Sequence, residues 1–327
     1  MMDSFLFAVN AVLPNILIVI IGYVAKRIGL VNEDLAKAMN KLVFRLLLPC
    51  MLFLNVYKID NLASMDFGYI WYAIGVTFLM FLVAIPAVMT ITKSEDQRGA
   101  LAQAVFRSNY ALIGIPLATS LFGSEGGTVA TLLSAFSVPL FNILAVICLT
   151  VFGNGGKIDL KKILLGIVKN PLIISIALGC VCIGIRAVLQ HYNIPFRLSN
   201  VEPIYKTLSQ LSATATPIAL LVLGAQFELS AVPALKKQII FGVAAKTVIV
   251  PTVALVIAYF MGCFSGAHFA AFVALFATPV AVSSVPMAQE MGADAKLAGQ
   301  LVVWTTVASA FTIFLFSFIL KFVGIFV

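Results

Sequence analysis

Six stretches without a charged side chain dominate this sequence: Phe5 to Ala25, Phe67 to Thr92, Gly126 to Gly156, Thr207 to Phe227, Thr247 to Gln289 and Leu297 to Leu320. A helix of about 20 apolar residues crosses the hydrocarbon core of a bilayer. Every run reaches that length, and the fifth holds enough residues for two helices. Over all 327 residues, 62% are hydrophobic and 10% are charged. Soluble domains carry about 25% charged residues, so no soluble fold of this length buries so much apolar surface. The expectation is an all-α polytopic membrane protein.

Read in order, the apolar segments give ten expected spans, near 5–24, 39–57, 67–91, 101–122, 128–151, 164–185, 204–223, 238–261, 269–287 and 301–323. Basic residues fall in short clusters between them. Lys26, Arg27, Lys37, Lys41, Lys93, Arg98, Lys157, Lys161, Lys162, Lys169, Lys236, Lys237 and Lys296 gather on one side, against Lys58, Arg186, Arg197, Lys206 and Lys321 on the other. Positive charge marks the cytoplasmic side, which places both termini outside a cell membrane. This distribution also accounts for the net charge of +8 without nucleic acid as a partner. The five cysteines match no zinc or redox spacing and read as buried small hydrophobes.

Two spans are interrupted. Arg107 to Pro116 reads RSNYALIGIP and Thr278 to Pro286 reads TPVAVSSVP, each in the corresponding part of its half of the chain. Other segments also correspond: Pro14-Asn15 with Asn170-Pro171, and 46–54 with 214–223. Five spans per half would insert the second half from the opposite side, the inverted-repeat layout of secondary transporters. The expected division is 1–152 and 164–327 as five-helix repeats with 153–163 as a linker.

An interrupted helix presents half-helix ends at membrane depth, where N-termini attract anions and C-termini attract cations. The candidate substrate-binding residues are therefore Asn109, Gly114, Pro116, Thr278, Pro279, Ser283, Ser284 and Lys246, with Pro116, Pro279 and Pro286 as helix breakers. An ordinary kinked helix, its hydroxyls bonded to its own backbone, is the alternative. Lys246 is the most interior charge. It reads equally as a counter-ion in the site or as a side chain snorkelling to the interface. Arg45 reads as an interfacial anchor, and Arg107 either as an attractor of anions or as a topology charge. No Asp or Glu lies well inside an expected span. Cation coupling would then rely on carbonyls, amides and hydroxyls. No phosphate loop, HExxH or hydrolytic group supports an enzyme, and no cofactor is implied.

The segments GYVAKRIGL (22–30), LLLPCMLFL (46–54), SNYALIGIPL (108–117), NPLIISIALG (170–179), ATPIALLVLGAQF (215–227) and ATPVAVSSVPMAQEMGAD (277–294) resemble the auxin efflux carrier family, which includes the plant PIN proteins and bacterial malate or malonate permeases. The resemblance spans essentially the whole chain. It implies ten helices in two inverted five-helix repeats of the bile-acid-symporter type, with helices 4 and 9 crossing at their breaks. It implies a scaffold of helices 1, 2, 6 and 7, a moving part of helices 3–5 and 8–10, and a homodimer. By resemblance Asn109 helps build the site, while Thr278 stands before Pro279 where the plant carriers have an Asn. The long loop of many plant carriers is absent. The expected function is an elevator-type secondary carrier of a small mono- or dicarboxylate, auxin-like or malate-like, with proton or sodium coupling open. The alternatives are a sodium-coupled carrier of another solute and a non-transporting membrane sensor.

Overall fold

The computed structural model describes residues 2–58, 67–153, 160–192 and 194–326. Its helices are α1 (Met2–Arg27), α2 (Glu33–Tyr57), α3 (Phe67–Ile91), α4 (Glu95–Phe106), α5 (110–153), α6 (Leu160–Lys169), α7 (Pro171–His191), α8 (Glu202–Gln226), α9 (Lys236–Met261), α10 (Gly266–Phe276), α11 (Ser284–Glu290) and α12 (Ala295–Phe322). Most of the expected linker, 154–159, lies outside the described residues.

The expected ten spans in two inverted five-helix repeats are corrected here. Seven helical stretches among the described residues are long and apolar enough to cross a membrane: α2, α3, the stretch Glu95–Gly153 that joins α4 to α5, α7, α8, α9 and α12. A clear five-plus-five repeat is not present. The reason lies in the breaks. At 1.5 Å rise per residue, the 11 residues of α10 and the 7 of α11 are each far too short to span. The expected fourth and fifth spans fall in one 59-residue stretch. That stretch is interrupted at 107–109 and again at Phe122-Gly123, where Gly123 has φ 61°. The sixth segment is also divided, because Asn170 caps α7 by accepting from the Leu172 amide at 2.9 Å.

Three short π-turns share one cause. They cover Val43–Leu47, Tyr110–Gly114 and Ala245–Ile249, and Pro49, Pro116 and Pro251 follow two residues later. Proline has no N–H, and its ring pushes away the carbonyl four residues back. The ladder widens by one residue: the amides of Leu48, Ile115 and Val250 reach Val43, Tyr110 and Ala245. Such bulges re-aim the side chains within them, here including Arg45, Gly114 and Lys246.

Helix α1 packs on α8, and α2 packs on both α7 and α8. Lipid tails give apolar helices no hydrophobic reason to associate, so close backbone approach through small residues does that work. A Cβ on Gly22 would lie 2.1 Å from the Leu221 carbonyl oxygen, and one on Gly224 would lie 2.0 Å from that of Val19. Of the remaining helices, α10 runs along α5, α4 lies between α3 and α5, and α12 packs on α1, α9 and α11. Exposed Ile21, Trp71, Val83, Phe260, Phe311 and Phe322 form part of the apolar outer surface. Of the cysteines only Cys148 is buried, and Cys180 and Cys263 are exposed, which corrects the expectation that all five are interior.

Candidate functional site

The chain leaves helical geometry twice in the interior, at 107–109 and at 277–283, and the two openings meet. The Asn109 amide donates to the Pro279 carbonyl at 2.8 Å. Around this point every group at the end of α10 finds a partner. A helix leaves its last four carbonyls without intrahelical donors. Here Val273 O accepts from the Ala277 amide at 2.9 Å. Ala274 O accepts from Thr278 Oγ1 at 2.7 Å. Leu275 O accepts from Ser108 Oγ, and Phe276 O accepts from Lys246 Nζ at 3.3 Å. On the far side of the opening, the Val280 amide donates to Thr305 Oγ1 at 3.1 Å.

Lys246 is 0% exposed, so it does not snorkel. Its ammonium donates to Ser108 Oγ as well as to Phe276 O. Arg107 is 2% exposed. Its Nη1 donates to Gln103 Oε1 at 3.2 Å and to Met287 Sδ at 3.1 Å. Its Nη2 donates to Asn142 Oδ1 at 2.9 Å and Ser283 Oγ at 2.8 Å. The ion pairs among the described residues join Arg45 to Glu290, Arg98 to Glu95 and Lys296 to Glu228. Among the described residues no carboxylate pairs with Arg107 or Lys246, and the partners of these two buried basic groups are neutral oxygen and sulfur.

Asn109 is 6% exposed, and its side chain makes no hydrogen bond among the described residues. It is the residue common to two clefts. One, of about 200 Å³, is lined mainly by Ile16, Val19, Leu220, Leu223, Val282 and Val302, with Asn15, Tyr23 and Thr306 as its other polar groups. The second, of about 40 Å³, brings together Asn55, Arg107, Ser108, Asn142 and Ser283.

The other expected residues take different places. Gly114 lets the chain pass the end of α10, since a Cβ there would meet the Tyr110 ring at 2.4 Å and Ala274 O at 2.9 Å. Thr278 is spent on the Ala274 carbonyl. Pro279 lies in the opening itself and supplies the carbonyl that Asn109 meets. Ser283 holds Arg107, and Ser284 is buried beside it, its carbonyl accepting from Gln103 Nε2 at 3.3 Å. Pro116 follows the π-turn that opens α5 and is the cause of its widened ladder, whereas Pro286 stands in the opening turn of α11, where a missing N–H costs nothing. Gln103 and Asn142 went unnoticed in the sequence because one amide in an apolar run makes no pattern.

A further polar cluster joins α2, α8 and α11 at the basic end of the molecule. Asn40 Nδ2 donates to Gln226 Oε1 at 2.8 Å and Gln289 Oε1 at 2.6 Å. Arg45 reaches Glu290 at 3.3 Å nearby.

Among the described residues, no group of three or more His, Cys, Asp or Glu stands close enough to hold a metal. The family model described as "Membrane transport protein" matches residues 7–317. An uncharacterized transporter of Methanocaldococcus jannaschii is 27% identical over 242 residues, covering 72% of this chain and 73% of that protein. An uncharacterized transporter of Methanothermobacter thermautotrophicus is 22% identical, covering 97% of this chain and 99% of that protein. The chain is a multi-pass membrane protein and belongs to the membrane transport protein family, the auxin efflux carrier family.

Proposed function

We propose that this transporter is a secondary carrier of small organic anions, and that it binds them where the two breaks cross. One observation carries the reading. Among the described residues the buried guanidinium of Arg107 has no carboxylate partner, and it lines a cleft with the side-chain amide of Asn109, which has no hydrogen-bond partner among them either. A buried cation without a counter-ion is costly, and an anionic substrate supplies the missing charge. Arg107 attracts the anion, and Asn109 donates to its carboxylate. Ser283 and Asn142 position the guanidinium.

The larger cleft at Asn109 favours a carboxylate with an apolar body over a compact dicarboxylate. Its wall is apolar apart from Asn15, Asn109, Tyr23 and Thr306. A second carboxylate there would be desolvated without a partner. Transport follows from an elevator-type shift in which the elements carrying the crossing move against a scaffold of α1, α2, α7 and α8. The Asn40–Gln226–Gln289 cluster and the Arg45–Glu290 pair then separate and re-form once per cycle. The close fit of Gly22 and Gly224 in the α1–α8 pair supports a scaffold that moves as one body.

A thermal-shift screen of the purified protein tests the substrate class. Arylacetates and other apolar monocarboxylates are expected to raise the unfolding temperature more than malate or malonate. Stabilisation by dicarboxylates alone, or by none of these acids, contradicts the reading.

A further inference from the structure

We propose that Lys246 is a tethered cation occupying a monovalent-cation site at the end of α10, and that its ammonium makes an inorganic cation unnecessary at this crossing.

The carbonyl end of a helix carries about half a negative charge, and at the end of α10 that charge is wholly buried. Residues 269–277 and Thr278 are all buried, as is Ser108. The Phe276 carbonyl oxygen and the Ser108 hydroxyl oxygen both reach Lys246 Nζ there. Ser108 has a single O–H, and it donates that proton to Leu275 O. Its lone pairs are thereby turned to Lys246 Nζ, which also reaches Phe276 O. Oxygen lone pairs converging on one buried point are the ligand set of a hard monovalent cation. The π-turn ahead of Pro251 carries Lys246, and the ammonium fills that point.

The same geometry separates Lys246 from the substrate. Lys246 is fully buried, and it lines neither of the clefts that reach Asn109. Arg107 does line one of them. One buried cation therefore faces the anion and the other holds the broken helix together. The inference concerns the coupling of the proposed carrier, but its cation site stands or falls independently of which anion is moved.

The test compares purified wild type, Lys246→Ala and Lys246→Met by thermal unfolding in choline chloride, sodium chloride and methylammonium chloride at equal ionic strength. Wild type is expected to melt at the same temperature in all three. Lys246→Ala is expected to melt lower in choline and to recover saturably with sodium or methylammonium, which enter the vacated space. Lys246→Met is expected to melt lower and to stay low, because its side chain fills the approach without supplying charge. A lysine that only packed would leave Lys246→Ala equally low in all three salts, and that result overturns the proposal. Saturable stabilisation of wild type by sodium overturns it too, and needs no variant to fold. Sodium-independent anion uptake by wild type in liposomes is the corresponding transport result. If no anion moves at all, the proposed substrate fails while the melting series still decides the role of Lys246.

Discussion

The amide of Asn109 and the carbonyl of Pro279 are 2.8 Å apart, so the two interrupted helices are bonded backbone to backbone where they cross. That bond leaves the Asn109 side chain with no structural duty. It also places the apolar cleft and the polar cleft on either side of one residue.

Asn109→Ala is expected to separate function from stability. The backbone bond survives, and no side-chain hydrogen bond among the described residues is lost. Its stability should not fall, because the methyl group replaces a buried amide that has no partner to offset its desolvation. Carboxylate binding should weaken by about 10-fold, the value of one charge-assisted hydrogen bond of about 1.5 kcal/mol. Thermal unfolding and titration with an arylacetate read the two effects separately.

Arg107→Lys is expected to fail almost as completely as Arg107→Gln. The guanidinium fork meets four acceptors on Gln103, Met287, Asn142 and Ser283, and a single ammonium cannot span them. Both variants should lose carboxylate binding. Arg107→Gln should remain the easier to purify, because it buries no misplaced charge. Recovery of binding in Arg107→Lys would show that charge alone suffices.

Ser108→Ala removes one hydroxyl, strands the Leu275 carbonyl and leaves the Lys246 ammonium with Phe276 O alone. A buried group left without its partner costs about 1–3 kcal/mol. The unfolding midpoint should fall accordingly, and by more than in Thr119→Ala, whose hydroxyl bonds back to its own helix at an exposed position.

Gly22→Ala and Gly224→Ala are each expected to destabilise by about 1–3 kcal/mol or more, as overpacking does. Both new methyl groups would meet backbone oxygens, at 2.1 and 2.0 Å, which cannot rotate away as a side chain can. Gly75→Ala is the control, since nothing lies within 4 Å of its Cβ position. Equal melting of all three variants would contradict the close α1–α8 contact.

Both openings were legible in the sequence because Asn109 and Pro279 interrupt runs that otherwise favour continuous helix. The number of spans was not. Apolar residues continue on both sides of each opening, so hydropathy cannot tell a spanning helix from the short pieces α10 and α11. Lys246 was undecided for a related reason. Its depth along the helix was readable, but its direction depends on a π-turn that one widened bond creates. Arg107 could not be told from a topology charge because its partners Asn142, Ser283 and Met287 come from distant parts of the chain. The Asn40–Gln226–Gln289 cluster joins residues 186 and 249 positions apart, and no local pattern announces it.

The most direct test of the account is uptake of a labelled arylacetate into proteoliposomes carrying wild type, Asn109→Ala or Arg107→Gln. Saturable uptake by wild type, at least about 10-fold lower in both variants, is the predicted result. Undiminished uptake in both variants would contradict a binding site at the crossing, and no uptake of any mono- or dicarboxylate by wild type would contradict the anion carrier itself.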